Sequence, residues 1–206
     1  VPTGIEHGTV TVVLDNKTVE VTTYRSDGLY YDNRHPNSVV FEKNIESDLS
    51  RRDFTINAFA LNSKEEIIDI FNGKEDLKGK IIRCVGDPEK RFSEDALRIL
   101  RAYRFSSVLN KNIEKNTLGA SVKLGKLIEN ISGERILAEL KKLITGENLS
   151  PFVDFVNHGF LEFCGIGPIK KDLTQLVALE KSWELRIPIF LVLSKKKKKK
   201  LTCILK

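Results

Sequence analysis

The sequence lacks methionine entirely and contains little cysteine, histidine or tryptophan. Its three cysteines, Cys84, Cys164 and Cys203, lie far apart and form no C-x-x-C pair, which argues against a structural zinc site and favours a reducing compartment. No apolar run approaches the ~18 to 20 residues of a membrane span, and the N-terminus lacks the pattern of a signal peptide. The composition therefore predicts a cytoplasmic protein with no membrane partner.

Both ends of the chain look abrupt. Position 1 is valine, only a few residues before sequence typical of a strand, and an apolar segment near the other end runs directly into six lysines. We therefore expect a fragment whose true ends lie elsewhere.

The net charge of +6 suggests a nucleic-acid partner, but the positive charge is concentrated at one end. Residues 195–206 hold seven lysines and no acid, so residues 1–194 carry a net charge of −1. RNA binding by residues 1–194 would therefore depend on the local arrangement of charged side chains, not on the net charge. We expect the lysine run to be disordered or a solvated helix extension, because adjacent like charges repel and form no patterned surface.

The first third of the chain carries the patterns of β-strands and turns. Residues 9–14 and 19–24 are rich in β-branched side chains around a short Asp/Asn turn, which predicts a β-hairpin. The polar residues 26–48 predict an exposed loop. A second strand pair is predicted at residues 56–61 and 67–71.

Alternation along the second strand assigns its side chains to two faces. Val19, Val21 and Thr23 share the face expected to pack on the core, because successive side chains point to opposite sides of a strand. Glu20 lies on the opposite face and is predicted to project away from the core.

Helical patterning begins near residue 91. Ser93 is predicted to cap a helix that has acidic residues in its first turn and runs to about residue 108. Residues 134–144 predict another helix, and residues 151–163 and 173–193 are also predicted to be helical. The core positions of the second helix are Ile136, Leu137, Leu140, Leu143 and Ile144. The β patterning ends near residue 72, and the change to helical patterning beyond it predicts an α+β fold.

Two charged segments have both a structural and a functional interpretation. The stretch RRDFTINAFA, residues 51–60, places two arginines, an aspartate and an asparagine beside apolar residues, as a charged loop before a strand also would. On the predicted helix, Glu94, Asp95, Arg98 and Arg101 share one polar flank. Taken alone, this flank could be a solvated face with salt bridges worth ~0.2 to 0.5 kcal/mol each.

Three segments in order resemble the class II CCA-adding enzymes and bacterial poly(A) polymerases of the nucleotidyltransferase superfamily. They are RRDFTINA, then IIDIFNGKEDLKGKIIRCVGDPEKRFSEDALRILRAYRFSS, then ISGERILAEL. The resemblance covers at least residues 3–145 and is greatest to tRNA nucleotidyltransferase. It implies template-independent addition of C and A to tRNA 3′ ends, with tRNA, ATP and CTP as partners, no DNA partner, and Mg²⁺ as cofactor.

The resemblance also implies a domain organisation. A partial nucleotidyltransferase head, with a mixed sheet, is expected at residues 1–75, and a helical neck that recognises the base at residues 76–147. The start of a helical body is expected at residues 148–194, and a Lys-rich tail at residues 195–206.

The matching motifs imply roles for individual residues. Arg52 and Asp53 match the residues that bind the sugar and phosphates of the incoming nucleotide, and Glu20 matches the third acid of the catalytic metal-binding set. Asp95 and Arg98 match the amino-acid template that reads the base edge. The expected nucleotide-binding set is Arg52, Asp53, Asn57, Glu94, Asp95, Arg98, Arg101 and Arg104. For Asn57, a satisfied structural amide is an equal alternative. Asp69, Gly73 and Asp76 match a hinge between head and neck.

The chemistry of an Asp/Arg pair suits this selection. Cytosine and adenine each present an amino donor beside a ring-nitrogen acceptor, which a carboxylate and a guanidinium complement. Guanine and uracil present a carbonyl and a ring N–H at these positions, so polar groups stay unpaired at a cost of ~1 to 3 kcal/mol each.

The family's catalysis also needs a Gly-Ser or Gly-Gly turn followed by a D-x-D pair that holds two metal ions. The sequence contains neither, so we expect a catalytically incomplete fragment in which Glu20 alone does not support catalysis. Two alternatives stay open: a poly(A) polymerase, which uses the same motifs, and a non-catalytic nucleotide- or RNA-binding remnant. An in-frame D-x-D upstream would favour the enzyme.

Overall fold

The computed structural model describes residues 8–15, 17–28 and 38–166, and the single residues 173, 181, 182 and 186. The strands in this part of the chain are β1 Thr9–Leu14, β2 Lys17–Thr22, β3 Arg25–Asp27, β4 Val39–Phe41, β5 Phe59–Leu61, β6 Ile67–Asp69, β7 Ile81–Ile82 and β8 Asn112–Ile113. The helices are α1 Ile45–Ser50, α2 Gly73–Lys78, α3 Pro88–Glu94, α4 Leu97–Leu109, α5 Lys115–Leu124, α6 Gly133–Ile144, α7 Ser150–Asn157 and α8 Phe160–Phe163. Short 3₁₀ helices occupy Thr55–Asn57 and Gly125–Asn130. The predicted α+β class is confirmed.

The predicted first hairpin is confirmed, but its second strand is Lys17–Thr22 instead of residues 19–24. Strands β1 and β2 pair antiparallel, with Thr11 opposite Glu20, and Asp15 in the turn adopts the left-handed conformation at φ 45°. The predicted burial of one face is wrong for the described residues, because Val19 and Val21 are both exposed. Alternation predicts which side chains share a face of the strand, but it does not predict whether another element packs on that face.

The prediction of an exposed loop over residues 26–48 is wrong in part. The segment contains β4, which pairs antiparallel with β3, and the helix α1. The Ser26 hydroxyl also donates to Glu42 Oε1 at 2.7 Å across this pair. The three residues Val39–Phe41 are too short a run for periodicity to reveal as a strand.

The second predicted strand pair is confirmed with shorter bounds. Strands β5 and β6 pair antiparallel, but Ile56 lies in the 3₁₀ turn Thr55–Asn57 instead of in the strand. The segment before this turn pairs elsewhere: Thr55 N donates to Arg83 O at 2.9 Å, and Val85 N donates to Asp53 O at 3.1 Å.

The predicted helix from Ser93 is two helices, and Ser93 is not its N-cap. It lies near the end of α3, whose N-cap is Asp87, with Pro88 at the first position and the Asp87 carboxylate accepting from Glu89 N at 3.0 Å. The chain then extends at Asp95 before α4 begins, and Asp95 Oδ1 accepts from Leu97 N at 3.1 Å. Asp87 and Pro88 are the sequence signal for the start of α3, and Asp95 is the signal for the start of α4.

Helix α4 is at the centre of the hydrophobic core. Ile99, Ala102 and Tyr103 are fully buried, and the Tyr103 ring packs edge-on against Phe155 and Phe160. The predicted core positions of α6 are confirmed: Ile136, Leu140, Leu143 and Ile144 are buried, and Leu137 is partly buried against them. The predicted helix over residues 151–163 is interrupted between α7 and α8 at Gly159, which adopts φ 77°.

No helix in the described part of the chain is long and apolar enough to cross a membrane. The helix predicted at 173–193 lies outside the described residues except for four single positions, and the lysine run lies outside them entirely. The predicted domain boundaries stay a prediction.

Candidate nucleotide-binding site

The turn that carries Arg52 and Asp53 is held by pairing with the segment before α3. Phe54 is fully buried and forms a β-bridge with Cys84, and the backbone hydrogen bonds of Asp53 and Thr55 lie on either side of this bridge. The charged pair is therefore not held by the strand predicted at residues 56–61. A 3₁₀ turn follows the pair, and a distant segment holds it.

The Asp53 carboxylate has its partners inside the protein. Oδ1 accepts from Phe54 N at 2.8 Å and from Asn57 Nδ2 at 3.1 Å, whereas Oδ2 accepts from Arg101 Nε at 2.7 Å and Nη2 at 2.5 Å. The structure thus brings together three predicted site residues, Asp53, Asn57 and Arg101. The hydrogen bonds on Asn57 and Arg101 fix the carboxylate in one orientation.

The two arginines before Asp53 share one carboxylate, that of Asp48 within α1. Asp48 Oδ1 lies 2.6 Å from Arg51 Nη2, and Oδ2 lies 3.0 Å from Arg52 Nη2. Burial alone would raise the pKa of Asp48, but the hydrogen bonds from the two guanidinium groups outweigh it and lower this pKa below its usual value. Sequence reasoning missed Asp48, although its i,i+3 and i,i+4 spacing to the arginines could have revealed it.

The predicted base-reading pair is close in sequence, but its two members have different partners. Asp95 Oδ2 accepts from Arg135 Nη2 at 2.8 Å, on α6. Arg98 is only 9% exposed and donates to Arg51 O at 2.8 Å, and also to Glu94 Oε2 at 3.0 Å. The flank is therefore not a solvated face, and Arg98 links α4 to the turn that carries Arg52 and Asp53.

The other carboxylate on this flank, Glu94, bridges two arginines. Its Oε1 accepts from Arg91 Nη2 at 2.6 Å and its Oε2 from Arg98 Nη1 at 3.0 Å. Arg91 Nη1 in turn donates to Ser50 O at 3.0 Å. Two arginines of the helical part thus hold consecutive carbonyl groups, those of Ser50 and Arg51, immediately before Arg52.

The remaining predicted arginine, Arg104, has structural contacts. Its Nε lies 2.7 Å from Glu139 Oε2, in an ion pair that lacks hydrogen-bond alignment, and its guanidinium lies 3.6 Å from the centroid of the Phe105 ring. Burial lowers the pKa of Arg104, and the charge of Glu139 offsets part of this effect. Glu139 also lies 3.8 Å from Arg101, so a buried acid that sequence reasoning missed joins α6 to the site.

The residues of the predicted hinge join α2 to the same turn. Asp69 accepts from Gly73 N at 2.8 Å and from Lys74 N at 2.9 Å, which caps α2. Asp76 Oδ2 accepts from the Thr55 hydroxyl at 2.7 Å and lies 3.1 Å from Arg83 Nε. These contacts hold α2 against the residues that follow Asp53.

Glu20, the predicted metal ligand, is exposed on β2 opposite Thr11. Among the described residues, no group of three or more His, Cys, Asp or Glu side chains could hold a metal ion. The role of Glu20 as a metal ligand stays a prediction.

Comparisons with known proteins agree with these motifs. Residues 1–83 match the family model of the poly(A) polymerase head domain, and residues 112–164 match the model described as the probable RNA- and SrmB-binding site of polymerase A. The CCA-adding enzyme of Oceanobacillus iheyensis is 51% identical over 156 residues, which cover 76% of this chain and 39% of that enzyme. The chain thus spans about two fifths of the length of this relative.

Solved structures give the same result. The crystal structure of the Bacillus stearothermophilus CCA-adding enzyme in complex with CTP matches at 41% identity with a TM-score of 0.70, over 78% of this chain and 38% of that one. The Thermotoga maritima CCA-adding enzyme complexed with tRNA matches at 28% identity with a TM-score of 0.62, over 77% and 36%. The resemblance seen in the sequence motifs is confirmed, and the chain belongs to the family of CCA-adding enzymes and bacterial poly(A) polymerases.

Proposed function

We propose that this chain is part of a tRNA nucleotidyltransferase that adds C and A to tRNA 3′ ends, using CTP and ATP and no nucleic-acid template. The observation that carries the proposal is the hydrogen bond from Arg98 Nη2 to Arg51 O. It joins the helix that is expected to read the base to the turn that is expected to bind the sugar and phosphates. A single nucleotide can contact both only if the two lie close together, as this hydrogen bond holds them.

The internal partners of Asp95 and Arg98 leave capacity for a base. Each carboxylate oxygen has two acceptor sites, and each oxygen of Asp95 uses one in the described contacts. Arg98 has five N–H donors, of which three are used, with Arg91 O as the third acceptor. The same partners restrict the orientation of both groups, which favours a fixed donor and acceptor pattern over a flexible one.

The sugar and phosphates have separate candidates. The Arg52 side chain is half-exposed and its guanidinium can meet phosphate oxygens, whereas the fixed Asp53 carboxylate can accept a hydrogen bond from a ribose hydroxyl. In this proposal Arg101 and Asn57 hold Asp53 in place. Arg104 and Glu94 support these residues through Glu139 and Arg98.

For the whole enzyme we propose Mg²⁺ as the metal, consistent with phosphoryl-transfer enzymes in general. The described residues contain no group of three or more possible metal ligands, so we propose Glu20 only as one candidate ligand.

We further propose the cytoplasm as the location. Cys84 and Cys164 are buried free thiols, which suits a reducing compartment. Burial raises the pKa of Cys84 to about 12, so this thiol stays protonated and unreactive at neutral pH.

A hybrid enzyme tests the proposal. The 156 residues of this chain that match the Oceanobacillus iheyensis enzyme replace their counterparts there, and the hybrid is given tRNA that lacks its CCA end. We expect addition of C, C and A followed by arrest. Long adenine tails from ATP alone would instead support the poly(A) polymerase alternative, and tRNA binding without any transfer would support the non-catalytic one. The unaltered relative is the control for each product.

A further inference from the structure

Asp48 is a buried carboxylate that contacts Arg51 and Arg52, the two arginines of the turn at residues 51–53, which we call the RRD turn. The residue is 5% exposed, and three N–H groups reach its two oxygens. Arg51 donates to Oδ1 through Nη2 at 2.6 Å and Nε at 3.1 Å, and Arg52 donates to Oδ2 through Nη2 at 3.0 Å. Each oxygen therefore holds a different arginine.

The backbone around these arginines is fixed independently of Asp48. Arg91 donates to Ser50 O at 3.0 Å, and Arg98 donates to Arg51 O at 2.8 Å. The backbone is thus held by α3 and α4, and Asp48 acts on the side chains alone. Loss of the Asp48 carboxylate would leave the path of the chain in place and release the guanidinium groups.

The two arginines differ in what they present to solvent. The Arg51 side chain is 20% exposed, whereas the Arg52 side chain is 45% exposed. In the described contacts Arg52 uses one terminal nitrogen, on Asp48, so its other N–H groups remain available to an anion. A guanidinium anchored at one corner loses less conformational freedom when it binds a phosphate.

We propose that Asp48 is a positioning residue that orients Arg52 toward the triphosphate of the incoming nucleotide. This inference rests on the proposed function, because it requires a nucleotide at the RRD turn. It assigns Asp48 no contact with substrate.

Replacing Asp48 by a neutral residue should change anion binding in the direction opposite to the one that charge alone predicts. Removing a negative charge beside an anion site should strengthen anion binding if charge alone mattered. If orientation matters more, replacing Asp48 by asparagine should weaken binding although the site becomes more positive.

The test measures binding of CTP and of inorganic tripolyphosphate to the 206-residue chain by isothermal titration calorimetry. For Asp48→Asn we expect about tenfold weaker binding of both probes, as for the loss of one charge-assisted hydrogen bond. Asp48→Glu, which keeps the carboxylate, should recover part of the affinity. Glu75→Gln is the charge-matched control, since Glu75 pairs with Lys78 on the exposed surface of α2, and it should bind within about twofold of the unaltered chain.

Thermal unfolding of each variant establishes that it is folded. Unchanged or tighter binding by folded Asp48→Asn would overturn the proposal while leaving the proposed function in place.

If the unaltered chain bound neither probe, nucleotide binding by this chain would fail, and the positioning role would be decided separately. NMR relaxation of the Arg52 Nε–Hε group in the unaltered chain and in Asp48→Asn reports the order of that side chain directly. Increased mobility in the variant supports the role of Asp48. The same order in both proteins overturns it.

Discussion

Asp53 explains why a charged triplet precedes a buried segment. Its carboxylate accepts from the backbone N–H of Phe54, a fully buried residue, and pairs with Arg101. The charge therefore satisfies polar groups at the edge of the core, where an unpaired group would be costly. The structural and functional interpretations of this stretch are compatible, because the contacts that stabilise the turn also fix the carboxylate.

Base selection is best tested at Asp95. In the hybrid enzyme, Asp95→Ala should lower incorporation of both C and A, because one carboxylate accepts the amino hydrogen of either base. The expected loss is ~1 to 3 kcal/mol of discrimination against GTP and UTP, by analogy with bidentate base readout. Single-nucleotide incorporation measures it. Glu89→Gln, an exposed acid on α3 paired with Lys123, is the control, and unchanged selection in Asp95→Ala would reduce this residue to a helix cap.

Arg98 is a poorer probe than its place in the motif indicates. Arg98 is buried and donates hydrogen bonds to Arg51 O and Arg91 O, so its replacement should also disturb folding. A neutral residue there would remove the side-chain donor to Arg51 O, so altered activity would not separate base reading from a disturbed turn.

Gly73 is required by its packing. A Cβ at this position would lie 2.3 Å from Thr55 O, a backbone atom that cannot move aside cheaply. Gly73→Ala should lower the free energy of unfolding by ~1 to 3 kcal/mol, as for overpacked sites. Urea unfolding measures the change. Gly119→Ala is the matched control, because no atom lies within 4 Å of its Cβ inside α5, and it should stabilise the protein by ~0.5 to 1 kcal/mol.

At the scale of elements, side chains of α6 hold the charged residues of α4 that belong to the candidate site. Besides the apolar residues between them, Glu139 of α6 contacts Arg101 and Arg104 of α4, and Arg135 of α6 contacts Asp95. The ISGERILAEL segment therefore positions residues that we propose to read the base and residues that we propose to hold the sugar-binding carboxylate.

Glu139→Gln tests this support. The Glu139 and Arg104 side chains are both largely buried, so a neutral partner leaves Arg104 without compensation. We expect a loss of about 3 kcal/mol in the free energy of unfolding, at the low end for a broken buried pair. Glu134→Gln, which alters an exposed acid in the first turn of the same helix, should change it by less than ~1 kcal/mol. Chemical denaturation compares the two, and equal effects would contradict the prediction.

For the whole molecule, acid should destabilise the fold through paired carboxylates. Burial raises the pKa of Asp48, but the hydrogen bonds and charges of Arg51 and Arg52 have the larger combined effect. The pKa of Asp48 is therefore below its usual value of 3.8. Burial likewise raises the pKa of Glu114, but the backbone N–H groups of Asn116 and Thr117 and then the Thr117 side chain lower it below 4.5. A lowered folded pKa means that each group stabilises the protein above its unfolded pKa and loses this contribution as pH falls through its folded pKa.

The free energy of unfolding should therefore be steady from pH 7 to about 5 and fall below pH ~4.5. Urea titrations at several pH values measure this curve. Asp48→Asn should flatten its acid limb, since the variant has no carboxylate to protonate at this position. An acid limb as steep as that of the unaltered chain would exclude Asp48 as a contributor.

The sequence by itself determined the family, the α+β class, the first hairpin and the buried face of α6. These follow from local order: residue types at fixed spacing identify a motif, and periods of 2 and 3.6 identify strands and helices. The resemblance of its motifs to the family also placed Asp53, Asn57 and Arg101 in one candidate set.

Only the tertiary structure decided how the candidates are partnered. Asp53 and Arg101 are 48 residues apart, Arg98 and Arg51 are 47 apart, and Asp95 and Arg135 are 40 apart. Periodicity carries no information across such separations, because the chain between them sets which faces meet. For the same reason the pattern could label the flank of Arg98 as polar but could not show that it is buried.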